Sequence, residues 1–544
     1  MERNALLAVA ISIAILLVYY ELLLPRFYPP QPKTLAEQLG AKPVAPEPLT
    51  PPDPTTAEPA PGVDEKPAAN APEFTVDTDL YTAHFTAAGG RLRSLTLKRY
   101  PTTSEPGSPP LEMVYAGAGG ALPLGLELRG KDMEAVRDSA AIYEIQGPSE
   151  VHLSGDQEGS VTLLWTQPGV AVEKRFRFRG NSYPFFVDVV PQETPPGTVE
   201  VGLSWLKGIP PAEDHTKTRV FQGLMALVNN KVIHKNFPDL EKPETMAGAI
   251  AWAGFSSTYF LSAVAPDMTE NERLWLRYQE HTAEARFLTR TSGTAALPYE
   301  LYIGPKETSA LEAAGHGLQK AVDYGYFTFI AVPLLQALRF LHALTGNWGV
   351  AIILLTLAIK ILFIPLTQKS FQSMREMQKL QPQMAKLRER LKDNPEQMNK
   401  EIMELYRRHK VNPLSGCLPM LLQIPVFIGL YNALANAIEL RHAPFALWIT
   451  DLSSPDRLGH IQLPFVDSPG IPGLTIIMGA TMLIQQWMTP AAGDPAQQRV
   501  MMFMPLIFTV MFINFPSGLV LYWLVNNVLT IAQQYVMLRR SADK

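Results

Sequence analysis

Residues 348–366 (WGVAIILLTLAIKILFIPL) form a nearly uninterrupted apolar run interrupted by one charge, Lys360. At about 1.5 Å per residue a helix of that length crosses the roughly 30 Å hydrocarbon core of a bilayer. An unpaired ammonium in hydrocarbon costs from about 3 to more than 10 kcal/mol, so Lys360 must reach water, a partner or a polar cavity. The run predicts a membrane-spanning helix with a wet face.

The rest of the chain is not uniformly apolar. Over 544 residues, 47% are hydrophobic and 48 are prolines, a mixture that suits more than one architecture. A net charge of -4 with no domain-wide basic face argues against a DNA-binding protein. Cys417 is the only cysteine, which rules out an intramolecular disulfide. The ten histidines are scattered without ligand spacing, so no metal is expected. There is no Walker loop, HExxH or GxSxG, and Gly117, Gly119 and Gly120 read as a flexible turn; no cofactor is expected.

Along the chain, residues 1–4 precede an apolar span at 5–24 that is too long for a typical signal peptide and lacks an evident cleavage site, so an uncleaved signal anchor is predicted. Residues 25–73, rich in Pro, Ala, Glu and Thr, predict an extended tether. From 74 to 304 the pattern alternates with period two, clearest at Val170, Val172, Phe176 and Phe178 and at Val201, Leu203 and Trp205. Gly89-Gly90, Gly147-Pro148, Gly155-Asp156 and Gly180-Asn181 punctuate it, as in a β-sandwich. Residues 305–323 read as helical, with 307–320 as one helix. The aromatic-rich 324–345, interrupted by Pro333, Arg339 and His342, predicts an amphipathic helix in the membrane interface.

Further spans are predicted at 346–367, 413–437, 471–488, 499–514 and 516–537, six in all with the first. The segment 368–412 is dense in lysine and arginine, whereas the 438–470 loop holds only Arg441 and Arg457, which puts 368–412 in the cytoplasm. The 489–498 loop, the N-terminus and the 538–544 tail then also fall in the cytoplasm, and the β domain falls outside. Within 368–412, Met377, Leu380, Met384, Leu387 and Leu391 form a short heptad seam. Asp393-Asn394-Pro395 breaks it, and Met398, Ile402 and Leu405 resume a helical face, predicting an antiparallel hairpin. Its Lys379, Lys386, Arg388, Arg390, Arg407 and Arg408 suit anionic lipid or ribosomal RNA.

Several polar residues fall in the spans. Thr356 lies four residues before Lys360, on the same face. Tyr522, Asn526, Thr530 and Gln533 draw a stripe along the last span, Gln423, Asn432 and Asn436 mark the third, and Thr475, Thr481, Gln485 and Gln486 mark the fourth. Such residues often only bond across helix interfaces; a shared hydrophilic cavity is the reading that also accommodates Lys360. Lys360 lies roughly 10 Å from the cytoplasmic end of its helix, where snorkelling to the headgroups competes with a cavity open to the cytoplasm. Met501, Met502 and Met504 suit core packing or an adaptable apolar surface.

Longer motifs point to one family. Asn347-Trp348-Gly349 opens the second span, Pro365-Leu366-Thr367 closes it, and Leu380-Gln381-Pro382 follows. NPLSGCLPMLLQIPVF from Asn412, APFALWITDLS from Ala443 and FPSGLVLYWLVNN from Phe515 are more specific still. In these the chain resembles the YidC/Oxa/Alb family of membrane protein insertases, in the Gram-negative form with a large periplasmic domain. The resemblance covers essentially the whole sequence. It implies a polytopic α-helical membrane protein in which five of six transmembrane helices form an insertase core, with a periplasmic all-β supersandwich similar to galactose mutarotases but not a sugar enzyme. It also implies a hydrophilic groove open to cytoplasm and lipid, carrying a positive residue, usually arginine, five residues before the proline of the PLT motif. Lys360 holds that place and keeps the charge without the planar fork. Trp523 stands where a second tyrosine is common.

The expected function is nucleotide-independent insertion and chaperoning of nascent inner-membrane proteins, alone or with the Sec translocon, by a chain that works as a monomer and contacts ribosomes and anionic lipids. The expected groove residues are Lys360, Thr356, Gln423, Gln486, Tyr522, Asn526, Thr530 and Gln533. A secondary transporter with an anion site at Lys360 is the alternative, weakened by the lack of an internal repeat. A membrane-anchored carbohydrate enzyme leaves the polar stripes unexplained.

Overall fold

The computed structural model describes residues 71–130, 135–194, 198–209, 220–267, 272–292, 294–391, 394–409, 418–459, 461, 470–488 and 495–542. The expected signal anchor, most of the tether, Cys417 and parts of the 438–470 and 489–498 loops lie outside the described residues.

Residues 73–305 build three sheets of five, nine and six strands, almost wholly antiparallel. The period-two pattern sets their faces. In strand Val170–Arg179, Val170, Val172, Phe176 and Phe178 point inward, and in strand Thr198–Gly208, Val201, Leu203 and Trp205 do the same, each at most 3% exposed. Phe74 stacks on Phe85 at 4.7 Å between ring centres, with Phe176, Phe178 and Phe185 around them. The same alternation puts Lys174 inside. Its fully buried ammonium donates to the carbonyls of Gly89 (2.7 Å) and Leu124 (2.8 Å) and to Asp138 Oδ2 (2.7 Å). Asp138 Oδ1 also accepts from Arg91 Nη2 at 2.8 Å, and Asp138 Oδ2 from Tyr143 Oη at 3.0 Å. Arg91 belongs to the five-stranded sheet and Lys174 to the nine-stranded one, while Asp138 follows the last strand of the six-stranded one; one carboxylate joins all three. The Gly89-Gly90 turn makes this possible: both glycines have positive φ (67° and 58°), and a Cβ on Gly90 would sit 3.1 Å from the Lys174 stem.

The helical part starts with α1 (Thr308–Ala314). The single helix expected over 307–320 does not form. Gly315, His316 and Gly317 all take positive φ, which ends α1 and leaves a separate 3-10 turn at Leu318–Ala321. Next come α2 (Thr328–Thr345) and α3 (Trp348–Lys379). Both are long and apolar enough to cross a membrane, so α2, expected in the interface, has the dimensions of a crossing helix. It buries Ala331, Leu335 and Leu338 and exposes Phe329, Phe340 and Leu344. The Asn-Trp-Gly motif makes the sharp entry into α3: Asn347 Oδ1 caps Val350 N at 3.1 Å, Trp348 stacks on His342 at 3.9 Å, and Gly349 leaves room for the Phe445 ring.

α3 continues unbroken past Thr367 to Lys379. The hairpin helices are α4 (Gln381–Arg390), with Pro382 in its first turn, and α5 (Pro395–Arg408). The heptad seam is thus shared between the last turn of α3 and α4, and Met377 and Leu380 pack on Leu405 and Tyr406. After these come α6 (Leu418–Asn436), α7 (Gly473–Met488), α8 (Pro495–Phe512, with Met501–Phe512 a shorter apolar stretch) and α9 (Ser517–Ala542). α9 packs against α3 and α7, and α2 against α3 and α6.

Candidate functional site

The polar residues of α3 and α9 meet. Lys360 Nζ donates to Asn526 Oδ1 at 3.2 Å and to Thr530 Oγ1 at 2.7 Å, and the side chain is half-buried. Among the described residues no carboxylate pairs with it. Two turns further along α3, Thr367 Oγ1 accepts from Gln533 Nε2 at 2.7 Å, a second polar bridge between the same helices. Thr367 is the member that sequence reasoning left out of the site, although its place seven residues after Lys360 puts it on the same face. Thr356 is buried and returns its hydroxyl to Ile352 O at 2.7 Å. Tyr522 is buried beside Gln423, and Trp523 packs edge-on against Phe427 at 4.8 Å.

Other polar positions are engaged elsewhere. Gln486 is half-buried, and no hydrogen bond ties it to Lys360. Thr481 accepts from Asn527 Nδ2 at 3.3 Å, joining α7 to α9. Asn432 and Asn436 of α6 donate to Tyr324 O (2.8 Å) and Asp323 O (3.2 Å), the connector that leads into α2, and are not part of the Lys360 cluster. Thr475 donates to Asp456 Oδ1 at 3.3 Å, while Asp456 Oδ2 accepts from Leu474 N at 2.7 Å. The unpaired N–H groups at the start of α7 draw that carboxylate, and Thr475 serves the helix cap.

Around the expected periplasmic end, Asp451 Oδ1 gathers His442 N, Ser453 N and Ser453 Oγ, and its carbonyl accepts from Ser517 Oγ at 2.8 Å. Arg339 of α2 pairs with Glu439 at 2.6 Å. In the hairpin, Lys379 pairs with Glu376 (2.8 Å), Arg408 with Glu404 (2.7 Å) and Arg390 with Glu401. Lys386 and Arg407 are exposed and Arg388 is half-buried. Exposed pairs of this kind add little to stability and leave the charges open to other partners.

A model of the 60Kd inner membrane protein family matches residues 340–544, and one of the YidC periplasmic domain matches residues 73–337. Among similar proteins, the membrane protein insertase YidC of Syntrophus aciditrophicus is 39% identical over 98% of this chain and 99% of its own length. That of Syntrophobacter fumaroxidans is 40% identical over the same shares. A crystal structure of an active YidC insertase with its first transmembrane domain resolved is 19% identical, covering 87% of this chain and 94% of that one at a TM-score of 0.37.

Proposed function

The chain belongs to the YidC membrane protein insertase family, inner-membrane proteins with a periplasmic domain that insert nascent membrane proteins and are not enzymes, and from that premise we propose that it works through a hydrophilic groove walled by α3 and α9 and charged by Lys360. The observation that carries this reading is the Lys360 ammonium, held by two neutral oxygens of α9 with no carboxylate beside it among the described residues. A cation so placed attracts an anionic segment more strongly than it would in water, because the low dielectric around it screens less.

In the proposed cycle the polar, often acidic tail of a nascent protein enters the groove from the cytoplasm toward Lys360, while its apolar helix moves into lipid along α6 and α8. Transfer of that helix out of water drives the process, and the groove lowers the barrier for the tail. Thr356, Gln423, Gln486, Tyr522 and Gln533 are proposed as groove residues with Lys360, Asn526 and Thr530. The proposed topology has six spans, both termini in the cytoplasm and the β domain in the periplasm, as the excess of lysine and arginine in 368–412 favours. The exposed cations of α4 and α5 are proposed to meet ribosomes or anionic lipid, and the chain to act as a monomer, alone or with the Sec translocon, as insertase and chaperone.

The test replaces Lys360 with Glu and follows insertion of a single-span substrate with an acidic tail into vesicles holding the purified protein. Insertion is expected to fall; undiminished insertion of every such substrate removes the charge-attraction step.

A further inference from the structure

Asn526 and Thr530 do more than face Lys360. The Thr530 hydroxyl donates its own proton to Asn526 O at 2.6 Å, which turns its lone pairs toward the ammonium 2.7 Å away. Asn526 presents Oδ1 to the same ammonium at 3.2 Å. Two acceptors on successive turns of α9, one of them oriented by the backbone of the other, fix where the lysine stem ends. An ammonium has three N–H donors; these two bonds leave one for a further acceptor. Both seat atoms are neutral, so they satisfy hydrogen bonds without cancelling charge, whereas a carboxylate in the same place would do both.

We propose that Asn526 and Thr530 are positioning residues that hold the Lys360 ammonium at a defined depth with its charge uncompensated, and that the neutrality of residue 526 determines the preference of the groove for substrates with acidic tails. The proposal rests on the groove reading above and adds to it the element that sets charge specificity. An acidic side chain at 526 would act as an internal competitor: it would lie within ion-pair distance of Nζ and occupy the ammonium before a substrate carboxylate arrives. The lysine in this chain sharpens the effect. A compact ammonium offers its charge at one point, while a guanidinium spreads five donors over a plane and would hold a second anion even with one side paired.

The experiment uses the full-length protein in proteoliposomes and three single-span substrates that differ only in tail charge: acidic, neutral and basic. Asn526→Asp is expected to lower the ratio of acidic-tail to neutral-tail insertion by about fivefold or more, the scale of a typical coupling between two sites, and to raise the ratio of basic-tail to neutral-tail insertion. Asn526→Ser keeps a neutral acceptor and is expected to retain the wild-type order of the three substrates, which separates a charge effect from a folding defect. Thr530→Val, which removes an acceptor at constant shape, is expected to weaken the acidic preference without reversing it. A loss shared equally by all three substrates in Asn526→Asp, or an acidic-to-neutral ratio equal to wild type, overturns the proposal. Wild-type protein that inserts none of the three above protein-free vesicles overturns the insertase reading itself, and the proposal with it.

Discussion

Asp138 lies between two buried cations, Arg91 and Lys174, and its replacement by Asn tests whether that ion cluster holds the three sheets together. Asn keeps the shape but removes the charge. Arg91 and Lys174, 2.8 and 2.7 Å from the carboxylate oxygens, would then face an amide whose NH2 is itself a donor, and Tyr143 Oη and Leu126 N, at 3.0 and 2.9 Å, would compete for the remaining oxygen. Breaking a buried pair and stranding its partner costs about 3–5 kcal/mol. For a domain of this size that corresponds to roughly 6–20 °C in melting temperature, at about 2–4 °C per kcal/mol. Lys174→Met should also destabilise, by about 1–3 kcal/mol for each buried acceptor it strands. It leaves Arg91 and Asp138 balanced, and the main loss is the acceptors at Gly89, Gly90 and Leu124 that Lys174 had satisfied. Thermal unfolding of the full-length protein in detergent, followed by tryptophan fluorescence, reports on this domain through the buried Trp165, Trp205, Trp252 and Trp275. If Asp138→Asn melts within about 2 °C of wild type, at most about 1 kcal/mol on that scale, the cluster does not carry the sheets.

Two further outcomes follow from single residues. Glu272 points into the β-domain core with neither carboxylate oxygen hydrogen-bonded to a described residue, and burial pushes its pKa up to about 8 from an ordinary 4.5. The folded state therefore holds a proton that the unfolded chain releases. The stability from this group is fully present below about pH 4.5 and is lost as pH rises to about 8, so Glu272→Gln should leave melting at pH 5 nearly unchanged and raise it at pH 8; an equal shift at both would rule out titration. Gly349→Ala would place its Cβ 2.0 Å from Cδ2 of Phe445. It should destabilise the helical part by about 1–3 kcal/mol, seen as faster proteolysis in detergent, with recovery when Phe445→Leu is added.

The residues made some of this readable and hid the rest. Period-two alternation located the strands and, followed strictly, also places Lys174 inside with Val172 and Phe176. Nothing local marks Asp138 as its partner, because that contact exists only once three sheets have packed. Helical spacing put Tyr522, Asn526, Thr530 and Gln533 on one stripe of α9, of which Asn526, Thr530 and Gln533 bond to α3, and Thr367 was equally available at two turns from Lys360. Asn432, Asn436 and Thr475 fell among the polar positions that a shared cavity could accommodate, because a polar side chain in an apolar helix looks the same whether it lines a cavity or serves a backbone group. Their partners are a connector carbonyl, another such carbonyl and a helix-capping aspartate, which hydropathy does not encode. The composition of 307–320 favours a helix, yet the left-handed backbone at Gly315 and Gly317 ends it, and only tertiary packing decides that such a break is used.

The two asparagines of α6 have a mechanical consequence. Their amides grip the carbonyls of Asp323 and Tyr324, the stretch through which the chain passes from the β domain into α2. Any tilt of α6 large enough to widen its gap from α2 must stretch that grip or release it, and release takes only about 1–3 kcal/mol for two hydrogen bonds. The joint is stiff under small loads and gives way under large ones, like a shear pin in a drive shaft. Were α6 to move, these two hydrogen bonds would part before the load reached the β domain, and they would re-form when the helix returned.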